Sequence, residues 1–158
     1  ENVVKKIAEK NPSGKYETLR DCSWEELNAV KPLISDEDFR RAQFVLGEKD
    51  RVMAVGEALK RGDFETVGQK MYETHHGLSK DYEVSCEELD FLNDVAKENG
   101  VAGSRIMGGG FGGCTINLVK NDKYEQFIAD AKKRFKEKYG HEPAVYDVVI
   151  SEGAHRVC

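Results

Sequence analysis

Proline is scarce in this chain, with 3 in 158 residues, and no apolar run approaches the roughly 20 residues that a membrane-spanning helix needs. Basic residues are not in excess. The net charge of −5 gives no bulk attraction to nucleic acid. The four cysteines, Cys22, Cys86, Cys114 and Cys158, are widely spaced, with no C-x-x-C and no zinc-finger pairing of Cys with His. They read as free thiols in a reducing cytoplasm. There is no signal peptide, internal repeat or low-complexity tract. What remains is a soluble globular composition, 39% hydrophobic and 34% charged, of one-domain length. The first residue is Glu1 rather than Met and leads straight into a helix, so the chain reads as part of something longer.

Glycine is the residue in local excess. Gly108-Gly109-Gly110-Phe111-Gly112-Gly113 sets five glycines around one phenylalanine. Without a Cβ, these residues reach positive φ at low cost and allow close approach to the backbone. Ser104-Arg105-Ile106-Met107 precedes the loop. After it, Cys114, Ile116 and Leu118 alternate with Thr115 and Asn117, as in a half-buried strand. Gly108, Gly110 and Gly113 satisfy G-x-G-x-x-G, but the dinucleotide fingerprint needs a helix next, and a strand follows. The protein-kinase loop does join two strands, yet no V-A-I-K, H-R-D or D-F-G is present. Three readings stay open on spacing alone: a phosphate-lining loop, a sugar-lining loop or a tight structural turn.

The remaining pattern is mostly helical. Residues 2–10 place Val3, Val4, Ile7 and Ala8 on one face. Ser23 and Glu26 have capping-box spacing and start a short helix through Leu27 and Val30. A long helix follows Ser35 or Asp36, with Phe39, Ala42, Val45, Leu46, Val52, Val55 and Leu59 inward, and with Arg40, Arg41, Glu48, Lys49 and Asp50 solvated. Gly62 ends it, and Asp63 caps a helix striped by Phe64, Val67, Met71, His75 and Leu78. His75 and His76 point about 100° apart on that helix, a poor metal pair. Ser85 and Glu88 form another capping-box spacing, opening a helix with Leu89, Leu92, Val95 and Ala96. Before it, Asp81-Tyr82-Glu83-Val84 mixes acids with an aromatic between two helices. Asp81 and Glu83 read as solvated carboxylates. Asp122 caps a helix with Tyr124, Phe127, Ile128, Ala131 and Phe135 inward, ended by Gly140, and Ala144 to Ile150 reads as a last strand. About five helices and three or more strands give an α+β layer fold.

The segment GSRIMGGGFGGCTINLV at 103–119 resembles the third conserved motif of the GHMP small-molecule kinases, in its galactokinase version. RRAQFVLGE at 40–48, LKRGDFETVGQKMYETHHGLSKDYEVSCEELDFL at 59–92 and SEGAHRVC at 151–158 extend the resemblance, in order, over most of the chain. It implies a ferredoxin-like GHMP kinase C-terminal domain across 1–158, an antiparallel sheet packed against helices, with 1–34 a remnant of an interdomain region. It implies a parent that transfers the γ-phosphate of ATP, with Mg2+, to the anomeric hydroxyl of D-galactose. The sugar-recognition motif, second phosphate-cradling loop, catalytic aspartate, its partner arginine and magnesium ligands belong to an N-terminal half absent here. This chain alone is then inactive, with no catalytic or metal-ligating residue and an exposed apolar face where that half docks. Gly108, Gly109, Gly110, Phe111, Gly112 and Gly113 form a loop close to nucleotide and sugar, with Asp81 and Tyr82 at the cleft edge. The sequence departs from the family pattern at Ser79-Lys80-Asp81-Tyr82, with one acid before the tyrosine instead of two. It departs again at Ile106-Met107, where Met-Thr often stands. Sibling kinases for N-acetylgalactosamine or L-arabinose, a non-catalytic sugar and ATP sensor, and a standalone ferredoxin-like ligand-binding module are the other readings.

Overall fold

Helix starts in this chain are written in side-chain oxygens. Ser23 accepts from the Glu26 amide while the Glu26 carboxylate accepts from the Ser23 amide at 2.8 Å. Ser35 accepts from the Asp38 amide at 3.1 Å, and Asp63 from the Thr66 amide at 3.0 Å. Each oxygen satisfies an amide that has no intrahelical partner. In a computed structural model describing residues 1–153 and 156, the order is α1 (Asn2–Lys10), α2 (Trp24–Val30), α3 (Asp36–Lys60), α4 (Phe64–Lys80), α5 (Glu87–Glu98), β1 (Gly103–Met107), β2 (Cys114–Leu118) and α6 (Asn121–Tyr139). Single turns of 3-10 helix lie at Leu19–Asp21 and Lys31–Leu33. None of these helices is long and apolar enough to cross a membrane.

Strands β1 and β2 form an antiparallel hairpin, with Gly103 opposite Leu118 and Met107 opposite Cys114. The hairpin packs against helices, as an α+β fold requires: α4 and α5 lie on β1, and α5 on β2. Two hydrophobic clusters result. Val3, Ile7, Cys22, Leu27 and Val30 close over Phe39, Ala42 and Leu46 at the start of α3. Val95, Ala96 and Val101 meet Phe127 and Ala131 between α5 and α6.

The tightest contact is between backbones. A Cβ on Gly68 of α4 would lie 1.8 Å from the Ala102 carbonyl oxygen, and one on Gly103 would lie 2.5 Å from the Gly68 Cα. Only a pair of glycines lets the helix sit this close to the strand. Tyr72, one turn on, donates from its hydroxyl to the Val101 carbonyl at 2.9 Å, and burial pushes that phenol up to about 12. From α5, buried Asn93 donates to the Ser104 carbonyl at 2.8 Å. The strand is held from two helices, by α4 at Gly103 and by α5 at Ser104.

A carboxylate fastens the far end of α4. Asp90 of α5 accepts from Ser79 at 2.7 Å and from Ser85, and lies 3.2 Å from the His75 Nε2 and 3.5 Å from the Lys80 Nζ. Burial opposes its charge, but the two hydroxyls, Lys80 and His75 together hold it below the usual carboxylate range. His75 is shifted down, because burial outweighs the attraction of Asp90. His76 is exposed.

Several expectations need correction. Ser85 does not cap α5. Its hydroxyl is taken by Asp90, and the helix starts one residue later, after Cys86, without a side-chain cap. The turn into α6 begins at Lys120, whose carbonyl accepts from the Lys123 amide, so Asp122 lies inside the first turn. Val52 and Leu59 are exposed, as are Met53 and Phe64. Helices α1 and α2 cover α3 only as far as Leu46, and beyond it only Ala58 is buried. The alternation expected of β2 is blunted, since all five residues are half-buried. Ala144 to Ile150 forms no strand, and Ile150 is 97% exposed. A strand needs a neighbour for its backbone groups, and neither open edge of the described two-stranded sheet is paired with this stretch. Of SEGAHRVC, residues 154, 155, 157 and 158 lie outside the described residues.

Two outcomes follow for denaturation in urea. Gly68→Ala drives a methyl into the Ala102 carbonyl and should cost about 1–3 kcal/mol or more, the range for overpacking. Gly56→Ala, in α3 with open space around it, should instead stabilise by about 0.5–1 kcal/mol. The pH dependence has a sign set by His75 and Asp90. Folded His75 resists protonation, so below the ordinary histidine value of about 6.5 the unfolded chain gains protons first and stability falls. Asp90 adds a second loss as pH drops below about 3.9 toward its depressed folded value. The urea midpoint should decline from pH 7.5 to 5, and His75→Gln should flatten that decline.

Candidate functional site

The six loop residues between the strands carry the most unusual backbone in the chain. Gly108, Gly110, Gly112 and Gly113 have φ of 84°, 84°, 132° and 96°, and Phe111 shares the left-handed region at 59°. For a residue with a Cβ, that conformation costs about 1–2 kcal/mol, so something must hold Phe111 there. Its amide donates to the Val84 carbonyl at 2.7 Å. A Cβ on Gly110 would lie 2.1 Å from the same carbonyl oxygen. The phenyl ring itself is 76% exposed, at the tip of the loop.

The loop therefore has two sides. Val84 closes one side at Gly110. The other is open: a Cβ on Gly108, Gly109, Gly112 or Gly113 would meet nothing within 4 Å. The Gly109 and Gly112 amides donate to no described residue. A bare backbone with unengaged N–H groups can surround anionic oxygens. The loop offers positioning and partial charge, and no reactive side chain.

Val84 belongs to the other stretch that the sequence singled out. Asp81 and Tyr82 both donate backbone amides to the Gly77 carbonyl, at 2.9 and 2.8 Å, which turns the chain out of α4. The Tyr82 ring rests against Phe44, with centroids 5.3 Å apart. Asp81 faces a groove of about 1100 Å³ between α3 and α4, shared with Arg40, Phe44 and Lys70. Neither Asp81 nor Tyr82 is hydrogen-bonded to the glycine-rich loop among the described residues. Glu83 is the next residue in the left-handed region, with φ of 59°. Its carboxylate accepts from Arg40 at 2.8 Å and Arg41 at 3.3 Å, both on α3. Val84 then donates its amide to the Leu78 carbonyl at 2.9 Å and presents its own carbonyl to the loop.

Glu83, Arg40 and Arg41 are thus paired with one another, where each was expected to be merely solvated. The pairs are about half exposed, and such ion pairs add roughly 0–1 kcal/mol. Glu48 is also engaged. It accepts from Arg51 at 2.6 Å and Thr74 at 2.7 Å, tying α3 to α4. The sequence could not reveal Val84, a lone apolar residue in a polar stretch. The nearest signal was the short spacing between Asp81-Tyr82-Glu83 and Ser85.

ATP and Mg2+ stand differently against this geometry. The open side of the loop suits phosphate oxygens. A magnesium site is not offered: among the described residues no group of three or more His, Cys, Asp or Glu could hold a metal ion, and the Glu83 carboxylate is already taken by two guanidinium groups.

Comparison with known proteins follows the same residues. The family model described as GHMP kinases C terminal matches residues 57–137, which run from the end of α3 through the loop into α6. Human galactokinase is 43% identical over 143 residues, 90% of this chain and 36% of that protein. Bovine galactokinase is 51% identical over 105 residues, 66% of this chain and 27% of that protein. The chain thus spans about a third of the length of these relatives. Among solved structures, Lactococcus lactis galactokinase complexed with galactose superposes with a TM-score of 0.77 at 29% identity, covering 89% of this chain and 37% of that one. The match takes in the glycine loop and the helices that flank it, and with more than half of its residues under that family model, the chain belongs to the GHMP kinases and carries their C-terminal domain.

Proposed function

We propose that this chain is the C-terminal domain of a galactokinase, whose whole protein transfers the γ-phosphate of ATP to D-galactose and yields galactose 1-phosphate. The observation that carries this reading is the glycine loop at 108–113, locked on one side by Val84 and open on the other. Phosphoryl transfer depends on positioning and on charge stabilisation, so a loop without reactive side chains can line the cleft. Identity above 40% to galactokinases over most of the chain supports the substrate.

The general base and magnesium ligands then come from the part of the parent outside this chain, and the chain alone has no kinase activity. Residues 1–34 belong to the region joining the two parts. Val52, Met53, Leu59 and Phe64, and the apolar stretch from Val145 to Ile150, are surface that the other part covers. The parent works in the cytoplasm, where Cys22, Cys86 and Cys114, free among the described residues, stay reduced.

ADP release by the full-length protein tests the reading, with D-galactose, N-acetylgalactosamine and L-arabinose offered separately. Release driven by D-galactose is expected. Release driven by another sugar would change the substrate, and none from folded, ATP-binding protein would make it a sensor. Gly110→Ala, which sets a methyl against the Val84 carbonyl at positive φ, should lower kcat/KM about tenfold to a hundredfold.

A further inference from the structure

The glycine loop is set by a carbonyl that stands at the end of a chain of side-chain contacts. Phe111 hangs by its amide from Val84 at 2.7 Å. Val84 follows Glu83, whose left-handed backbone at φ 59° aims that carbonyl at the loop. The Glu83 carboxylate is gripped by Arg40 and Arg41, consecutive residues on α3, at 2.8 and 3.3 Å. Nothing in a simple helix-to-helix turn requires this. A turn that needed only a left-handed residue would be served better by glycine, which reaches positive φ without strain. A glutamate there, bridged across 42 residues of sequence to a different helix, serves the side chain.

We infer that Glu83 is a positioning residue for the glycine-rich loop: held by Arg40 and Arg41, its side chain ties the Val84 carbonyl to α3 and so fixes the height of Phe111 and its neighbouring glycines. Its consequence for catalysis rests on the galactokinase reading. Its consequence for the loop does not. Loss of the tether frees the 82–84 segment to shift, and the loop shifts with it. Small displacements of groups that orient a reacting phosphoryl cost rate steeply.

Glu83→Gly separates the two roles of the residue. It keeps the left-handed turn, and eases it, while removing the carboxylate. In the full-length protein, exchange of the Phe111 amide should rise about tenfold, with exchange in α4 and α5 unchanged and the unfolding midpoint held or raised. If the wild type releases ADP with sugar, kcat/KM of the variant should fall about tenfold, mostly through a raised KM for ATP. Glu83→Gln, which keeps the length and one acceptor oxygen, should recover part of both effects, and it retains the wild-type backbone cost if the glycine variant proves unstable. Unchanged exchange of the Phe111 amide in both variants would overturn the inference. So would a rise that spreads equally through α4 and α5, since that is general loosening. Failure of the galactokinase reading looks different: no sugar-dependent ADP release from the wild type, with the exchange result still deciding the role of Glu83.

Discussion

The approach of α4 to β1 through Gly68 and Gly103 is the constraint on which the rest of the structure depends. Packed layers normally stand apart, by about 10 Å between stacked sheets, because side chains fill the gap. Here the side chains are missing from both surfaces at one point, and backbone meets backbone. Once that point is fixed, the Tyr72 hydroxyl reaches the Val101 carbonyl, and the direction of α4 across the hairpin is set. No hydrogen bond could substitute for this contact, because a Cβ at either position would push the helix away from every partner downstream.

From there the geometry is passed along rigid pieces. α4 runs to Lys80, where Asp90 gathers Ser79, Ser85, His75 and Lys80. That carboxylate binds the end of one helix and the start of the next around a six-residue connection. The connection has little freedom left, and Val84 sits in its middle. The hairpin returns to the same place from the other side, because β1 starts at the Gly68 contact and ends at the loop. Loop and connection meet at the Val84 carbonyl because both are measured from α4.

Much of this was legible in sequence, for local reasons. Ser23, Ser35 and Asp63 mark helix starts because a cap acts within three residues, a range that sequence displays directly. The hairpin was legible from the glycines between two short apolar runs. Failures came where a residue had two partners to choose from or a face had nothing to cover it. Ser85 had the spacing for a cap, but Asp90 in the same turn of helix offered a stronger, charged acceptor. Val52 and Leu59 continue the periodicity of Phe39, Ala42 and Leu46, yet periodicity states which side is apolar, not whether anything lies against it. Ala144 to Ile150 has strand composition, yet it pairs with neither open edge of the described hairpin. The Glu83 pairing crosses more than forty residues and depends on a left-handed φ that no composition signals.

The exposed apolar residues and the open loop bear on one question, which is what this domain is shaped to face. A surface helix that serves only its own domain has one apolar stripe, and it is buried. α3 has a stripe buried in its first half and exposed in its second, and α4 begins on an exposed phenylalanine. The stretch after α6 adds Tyr146, Val148, Val149 and Ile150. Meanwhile the loop keeps four glycines bare toward open space and commits only Gly110 to internal packing. In a chain that spans about a third of its relatives, these features have a common physical sense. Apolar surface is costly to leave in water and glycine-rich loops are costly to order, so both are sustained where a second body buries the first and a ligand or that body's own loop meets the second. The proposed kinase cleft supplies both, and it makes the Val84 carbonyl the point where the internal packing of this domain sets the position of a loop whose purpose lies outside it.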